Sequence, residues 1–182
     1  MTQTVLILGP TGRFGRNAAL SFENAGWNVR RFDRKTDTLE TAARGVDVIV
    51  NAWNPVYSQW EKQVMARQPA VHRAALANNA TVIIPGNVYL FGEHTPAPWS
   101  DKSEYRATNL LGKIRIAMEQ SYRDAGVRTI ILRAGDYLDT EASGNWFDKI
   151  MAPSLRKGAL TYQGKLGIKR AWAFLPDLAR AA

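Results

Sequence analysis

Residues 5–15 read VLILGPTGRFG, an apolar run that turns straight into three glycines spaced three apart. A short, wholly apolar run followed by such a loop and then by helix-forming sequence constrains the fold strongly. It predicts a buried parallel strand, a tight turn and a helix whose N-terminus faces the end of that strand. Each glycine has a separate reason to be there. Gly9 permits the tight turn, Gly12 lets backbone approach a pyrophosphate, and Gly15 lets the helix pack closely. A phosphate would meet the unpaired amides of Arg13 and Phe14 at the positive end of the helix, with Thr11 in the loop.

The same alternation continues along the chain. Apolar runs with strand character lie at 5–8, 29–32, 46–50, 81–84 and 127–132, and helix-like segments at 14–25, 38–44, 60–79 and 107–124. Strands alternating with helices imply right-handed crossovers and helices on both faces of a parallel sheet. Gly26 and Gly126, each just past a helix, suit left-handed terminating positions. Only 13 residues, 33–45, join the second strand to the third. That leaves room for a turn and a short helix but for no further strand. The expected fold class is therefore α/β, a Rossmann-type doubly wound parallel sheet of about five core strands.

Beyond residue 132 the pattern loosens. A helix is expected over 143–157, short strands at 160–162 and 171–174, and the first turns of a helix from 177 to 182. A helix starting there has no evident apolar partner, so a natural chain that continues is the expectation. Residues 1–135 form the dinucleotide-binding domain, and 136–182 the start of an incomplete substrate-binding region.

Composition narrows the chemistry. With no cysteine there is no disulfide, no thiolate metal site and no cysteine nucleophile. The two histidines, His72 in a helix and His94 in a polar loop, stand far apart, and no metal site is expected. No run reaches the roughly 18 apolar residues of a membrane helix. The chain enters strand-like sequence within a few residues, and a cytoplasmic location follows as the expectation. A net charge of +8 favours anionic partners, but the basic residues are scattered apart from two pairs, 30–31 and 34–35. That points to a nucleotide-sized anion. Neither a nucleic-acid partner nor a membrane is expected.

Cofactor choice is written at the end of the second strand. Asp33 would bond the ribose 2′-hydroxyl of NAD, whereas Arg34 would pair with the 2′-phosphate of NADP. Both are offered. Arg13, Arg34 and Lys35 converging on one phosphate favour NADP on charge complementarity.

The motifs GPTGRFG, DVIVNAWNP (47–55), IIPGNVYLFG (83–92), LRAGDYL (132–138) and WAFLPDLARA (172–181) together resemble the extended and atypical short-chain dehydrogenase/reductase superfamily, the NAD(P)-dependent epimerase/dehydratase-like group. The resemblance spans nearly the whole chain. It implies that Asn51, Ala52 and Trp53 line the cofactor cleft with Pro85 and Gly86. It places Arg133, Ala134 and Gly135 near the nicotinamide, and residues after 132 around the substrate. Trp53, Trp99, Trp146 and Trp172 would offer that substrate aromatic surface. It also implies a small-molecule substrate and a possible homodimer through the helices at 60–79 and 107–124.

Relatives that exchange a proton with a carbinol use a tyrosine and a lysine four residues on, helped by serine or threonine. Here Tyr105 is followed at the fourth position by Asn109, and Asn87 stands at the serine-equivalent position. An amide can orient an oxygen but cannot take a proton at neutral pH. Lys113, eight residues past Tyr105, would lie on the same side of a helix that began before Tyr105, and Tyr89 offers a second phenol. An alternative register puts Leu111 at the lysine position and Ala107 at the tyrosine position. Two functions follow: an oxidoreductase or epimerase-like enzyme with an altered proton relay, or a cofactor-bound redox sensor with little turnover.

Overall fold

The first strand, β1 (Thr4–Leu8), is buried along its whole length, as a strand covered on both faces must be. A computed structural model describes residues 2–182. In it, β2 (Asn28–Arg31), β3 (Val48–Asn51), β4 (Thr81–Gly86) and β5 (Thr129–Arg133) join β1 in a five-stranded sheet of order β2-β1-β3-β4-β5. Every pairing in it is parallel.

Alternation along the strands builds two cores. Leu6, Leu8, Ile49, Val82 and Ile84 point to one face, where they meet α3 (Trp60–Asn78) and α4 (Leu110–Asp124). Val5, Ile7, Val50 and Ile83 point to the other and meet α1 (Arg13–Asn24). The connection from β2 to β3 passes back over β1 on the α3 side. It carries only a single turn of helix, α2 (Leu39–Ala42), capped by the Thr38 side chain. The chain builds outward from β1 to β2 on one side and, after crossing back, through β3, β4 and β5 on the other, and this reversal of direction opens a crevice outside the carboxyl ends of β1 and β3.

Gly26 and Gly126 take φ values of 81° and 68° just past α1 and α4, as their positions predict. Helix α4 starts later than its sequence suggests. Asn109 is extended (φ −75°, ψ 155°) and its side chain accepts from the Gly112 amide at 2.8 Å, so the helix opens at Leu110. Residues 106 and 107 instead bond the carbonyls of Phe91 and Leu90. Tyr105 therefore lies outside α4, in extended chain.

The segment after β5 departs most from expectation. A strand pair, β6 (Asp136–Leu138) with β7 (Trp172–Phe174), forms a small parallel sheet. The expected helix over 143–157 is broken at Pro153 into a π-helical turn (Phe147–Met151) and a 3₁₀ turn (Leu155–Lys157). Residues 160–162 pair with no strand. The last helix, α5 (Leu175–Arg180), does find an apolar partner: Leu175 is buried in the same cluster as Phe14, Ala18 and Phe22, with Leu178 packed against it, and the helix lies on α1.

His72 is held between α3 and α4, its ring edge-on to Tyr122 at 4.4 Å. Burial lowers its pKa below the ordinary 6.5. A base with a depressed folded pKa destabilises the fold as it protonates. Its contribution is complete above about pH 6.5 and is lost as pH falls toward the folded value. The parent chain should therefore lose urea midpoint between pH 7.5 and about pH 5, and His72→Gln should flatten that fall.

Candidate functional site

The glycine loop closes on itself by backbone contacts that leave no room for a side chain at Gly15 and little at Gly12. Gly9 takes φ 76°, and its carbonyl accepts from the Gly12 amide at 3.0 Å. A Cβ on Gly15 would sit 2.1 Å from that same carbonyl oxygen, and one on Gly12 would sit 3.2 Å from it. Gly15 thus lets the first turn of α1 pack onto the loop itself. Gly12 is the N-cap residue, gives no side-chain cap, and no acid stands in the first turn. The amides that open α1 are therefore left for an outside acceptor. Thr11 and Arg13 are exposed beside them. Arg16 and Asn17, one turn on, bind the buried carboxylate of Asp139 at 2.7 and 3.3 Å, which anchors the segment after β6 to α1.

Across the crevice, the end of β3 splits its residues between core and cleft. Asn51 turns inward, its amide nitrogen donating to Tyr122 Oη at 2.8 Å and Gln68 Oε1 at 3.2 Å. Its side chain braces the strand end and faces away from the crevice, while Ala52 and Trp53 stay half-buried at the mouth. Trp53 lies against Gly9, whose Cβ would come within 3.2 Å of the indole Cδ1. It also meets Phe32 edge-on at 5.4 Å.

After β2, Asp33 Oδ1 accepts from the Lys35 amide at 2.9 Å, and the Asp33 amide donates to Asp37 at 2.8 Å. Asp33 therefore shapes the turn with one carboxylate oxygen. Arg34 and Lys35 are exposed and make no side-chain hydrogen bond or ion pair among the described residues.

Further along the sheet, Pro85, Gly86 and Asn87 end β4. The Asn87 side-chain oxygen accepts from the Tyr89 amide at 3.1 Å, which leaves its NH2 as the group able to meet a ligand. Arg133, ending β5, binds the Asn87 carbonyl at 2.7 Å, the buried Glu119 carboxylate at 2.8 and 3.1 Å, and Tyr105 Oη at 3.2 Å. Ala134 donates to the Gly86 carbonyl at 3.4 Å, and Tyr137 donates to it at 3.0 Å. Gly135 packs so tightly on Ala171 that a Cβ would meet its carbonyl at 2.7 Å.

The structure thus brings Asn87, Tyr105 and Arg133 together, and Tyr89 pairs with Tyr57 through their hydroxyls at 2.7 Å. Burial, then the Tyr57 hydroxyl, raises the Tyr89 pKa and keeps that phenol protonated. Lys113 is exposed on α4 and bonds to none of them. The cation that α4 does turn inward is Arg115. It is buried and donates to the Pro85 carbonyl at 2.8 Å, with its charge over the Trp60 ring at 5.8 Å. Burial lowers its pKa. Sequence reasoning missed Arg115, Glu119, Tyr57 and Tyr137; an Arg–Glu pair four residues apart on the apolar face of α4 was the signal available.

Of the tryptophans, Trp99 stacks on Phe91 at 4.8 Å, and Trp146 lies 6.1 Å from Trp172 with Arg170 over it at 4.5 Å. Among the described residues no cluster of acids and histidines is placed to hold a metal, and no helix is long and apolar enough to cross a membrane.

No protein-family profile matches the sequence, and no curated protein sequence matches it either. Solved structures do match in fold. UDP-N-acetylglucosamine 4-epimerase from Bacillus cereus superposes with TM-score 0.73 at 15% identity, over 99% of this chain and 71% of its own. UDP-glucose 4-epimerase from Brucella ovis, solved with NAD, gives 0.76 at 15% over 99% and 71%. A dTDP-4-dehydrorhamnose reductase from Bacillus anthracis, solved with NADP, gives 0.64 at 17% over 78% of this chain and 56% of its own. The chain has the Rossmann-like α/β architecture of these epimerases and reductases, and spans only part of their length.

Proposed function

We propose that the chain binds NAD(P) and works as an oxidoreductase or epimerase-like protein on a small carbonyl, alcohol or nucleotide-sugar substrate. The observation that carries this reading is the glycine loop: a cradle any Cβ would fill, under uncapped helix amides, at the crevice between β1 and β3. Its residues fit a dinucleotide. Gly9, Gly12, Arg13 and Phe14 would hold the pyrophosphate, and Asp33, Arg34 and Lys35 the adenosine ribose, with Ala52, Pro85 and Gly86 along the cleft. A bound nicotinamide would supply or accept the hydride. Residues 136–182 would begin the wall of the substrate site.

The proton side of the chemistry falls to this chain's own groups. The Asn87 amide NH2 would orient a substrate oxygen, and Tyr105 would exchange the proton, its hydroxyl held by Arg133 at 3.2 Å. Tyr89 is the second phenol. None of the tyrosines is followed by lysine at the fourth position, so a guanidinium replaces the ammonium that relatives of this kind place beside the phenol. That departure supports a second reading, a redox sensor whose cofactor occupancy is read by a partner. A homodimer through α3 and α4 suits either.

NADP is favoured over NAD because one Asp33 oxygen already serves the turn while Arg34 has no side-chain partner among the described residues. Arg34→Ala should reduce NADPH affinity about tenfold in calorimetry and leave NADH affinity nearly unchanged. A parent chain that prefers NADH, with no effect of the substitution, would remove NADP. Turnover of any quinone, aldehyde or keto-sugar, followed by nicotinamide absorbance, supports the enzyme. Tight binding with no turnover across that panel supports the sensor.

A further inference from the structure

Trp53 joins two parts of the molecule that are remote in sequence. One face of its surroundings is Phe32, at the end of β2 beside the 33–37 turn. The other is Arg67 in α3, whose guanidinium lies 5.5 Å from the centre of the indole ring. Arg67 has no carboxylate partner among the described residues; its one side-chain hydrogen bond goes to the neutral Gln63, one helical turn earlier. Arg34, in the turn after β2, has no side-chain hydrogen bond or ion pair among the described residues.

The two guanidiniums feel each other. Burial and then the charge of Arg34 lower the pKa of Arg67. The carboxylates nearest in sequence are engaged within the turn and form no ion pair with Arg34 among the described residues. Asp33 accepts from the Lys35 amide, and Asp37 accepts from the Asp33 amide and the Thr36 hydroxyl. Arg67 lies over the indole that Phe32 meets, and Arg34 follows Phe32 by two residues, so two cations from separate elements flank Trp53 and make a site that gains energy when an anion enters. The Trp53 ring beneath Arg67 favours an anion attached to a flat, apolar group.

We propose that Arg67 and Arg34 together grip a phosphate monoester at the adenosine end of the nucleotide, the 2′-phosphate of NADP, with Trp53 as the apolar surface beside the base. This rests on the dinucleotide reading above and adds a specificity-determining residue from α3. The cleft mouth at Trp53 separates this phosphate from the pyrophosphate, which belongs to the glycine loop on the Gly9 side of the same ring.

The test compares 2′,5′-ADP with 5′-ADP as calorimetric ligands for the parent chain, Arg67→Met and Arg67→Lys. Methionine keeps an unbranched stem over the indole and removes the charge; lysine keeps the charge. The parent should bind 2′,5′-ADP at least about tenfold more tightly than 5′-ADP. Arg67→Met should erase most of that difference while leaving 5′-ADP within about twofold, and Arg67→Lys should restore part of it. Equal affinities in the parent would overturn the proposal while leaving the dinucleotide reading intact. So would an Arg67→Met chain that loses both ligands in parallel, which marks Arg67 as a structural prop. Binding of neither nucleotide sinks both. Should Arg67→Met not fold, Arg67→Gln carries the same comparison.

Discussion

Gly15→Ala is expected to cost about 3 kcal/mol of stability and to abolish nucleotide binding, because the new methyl would overlap the Gly9 carbonyl. That separation, 2.1 Å from a backbone oxygen, leaves no side chain that could rotate away. The loop or the first turn of α1 must shift, and either movement spoils the cradle. Gly12→Ala is the control. Its Cβ would meet the same oxygen at 3.2 Å, with ordinary backbone angles of φ −73° and ψ 164°. That substitution should leave the urea midpoint nearly unchanged and still weaken dinucleotide binding about tenfold, since the methyl stands where a phosphate must approach. Equal stability of the two variants would contradict the loop geometry described above.

Glu119→Ala should destabilise the chain by about 3–5 kcal/mol, read from urea unfolding. The Glu119 side chain has 0% exposure and pairs with Arg133 at 2.8 Å. It is also the acid whose charge acts favourably on buried Arg115. Removing one carboxylate leaves two guanidiniums facing each other in a poorly hydrated place, and Arg115 Nε already lacks a partner. Glu119→Gln keeps an acceptor oxygen and should cost clearly less. The same change loosens Arg133, which holds Tyr105 and the Asn87 carbonyl, so any turnover should fall further than stability does.

The parts of this molecule legible in its sequence are those set by local pattern. Val5 to Leu8 is apolar at every position, so it could only be an inner strand. GPTGRFG carries its turn chemistry within seven residues. The short 33–45 link excluded a sixth core strand without any knowledge of packing. Where competing local signals met, the pattern misled. Ala107 looks like a helix former, but the Asn109 side chain caps three residues later, and Tyr105 falls outside the helix. After residue 135 the deciding contacts are long-range: β6 exists only because β7, some 35 residues on, lies beside it. Asn51 reads as a cleft residue from its place at a strand end, yet Gln68 and Tyr122 draw it into the core. Arg67 is invisible in the sequence for the same reason. Nothing in a run of sequence says which arginine will lie over which indole.

The central claim concerns the amides at the start of α1, and calorimetric titration with NADPH and NADH tests it most directly. Saturable heat with at least one of them, with affinity about tenfold lower on Gly12→Ala in a chain that melts like the parent, is the predicted result. Folded protein that gives no heat and no thermal shift with either dinucleotide would contradict it.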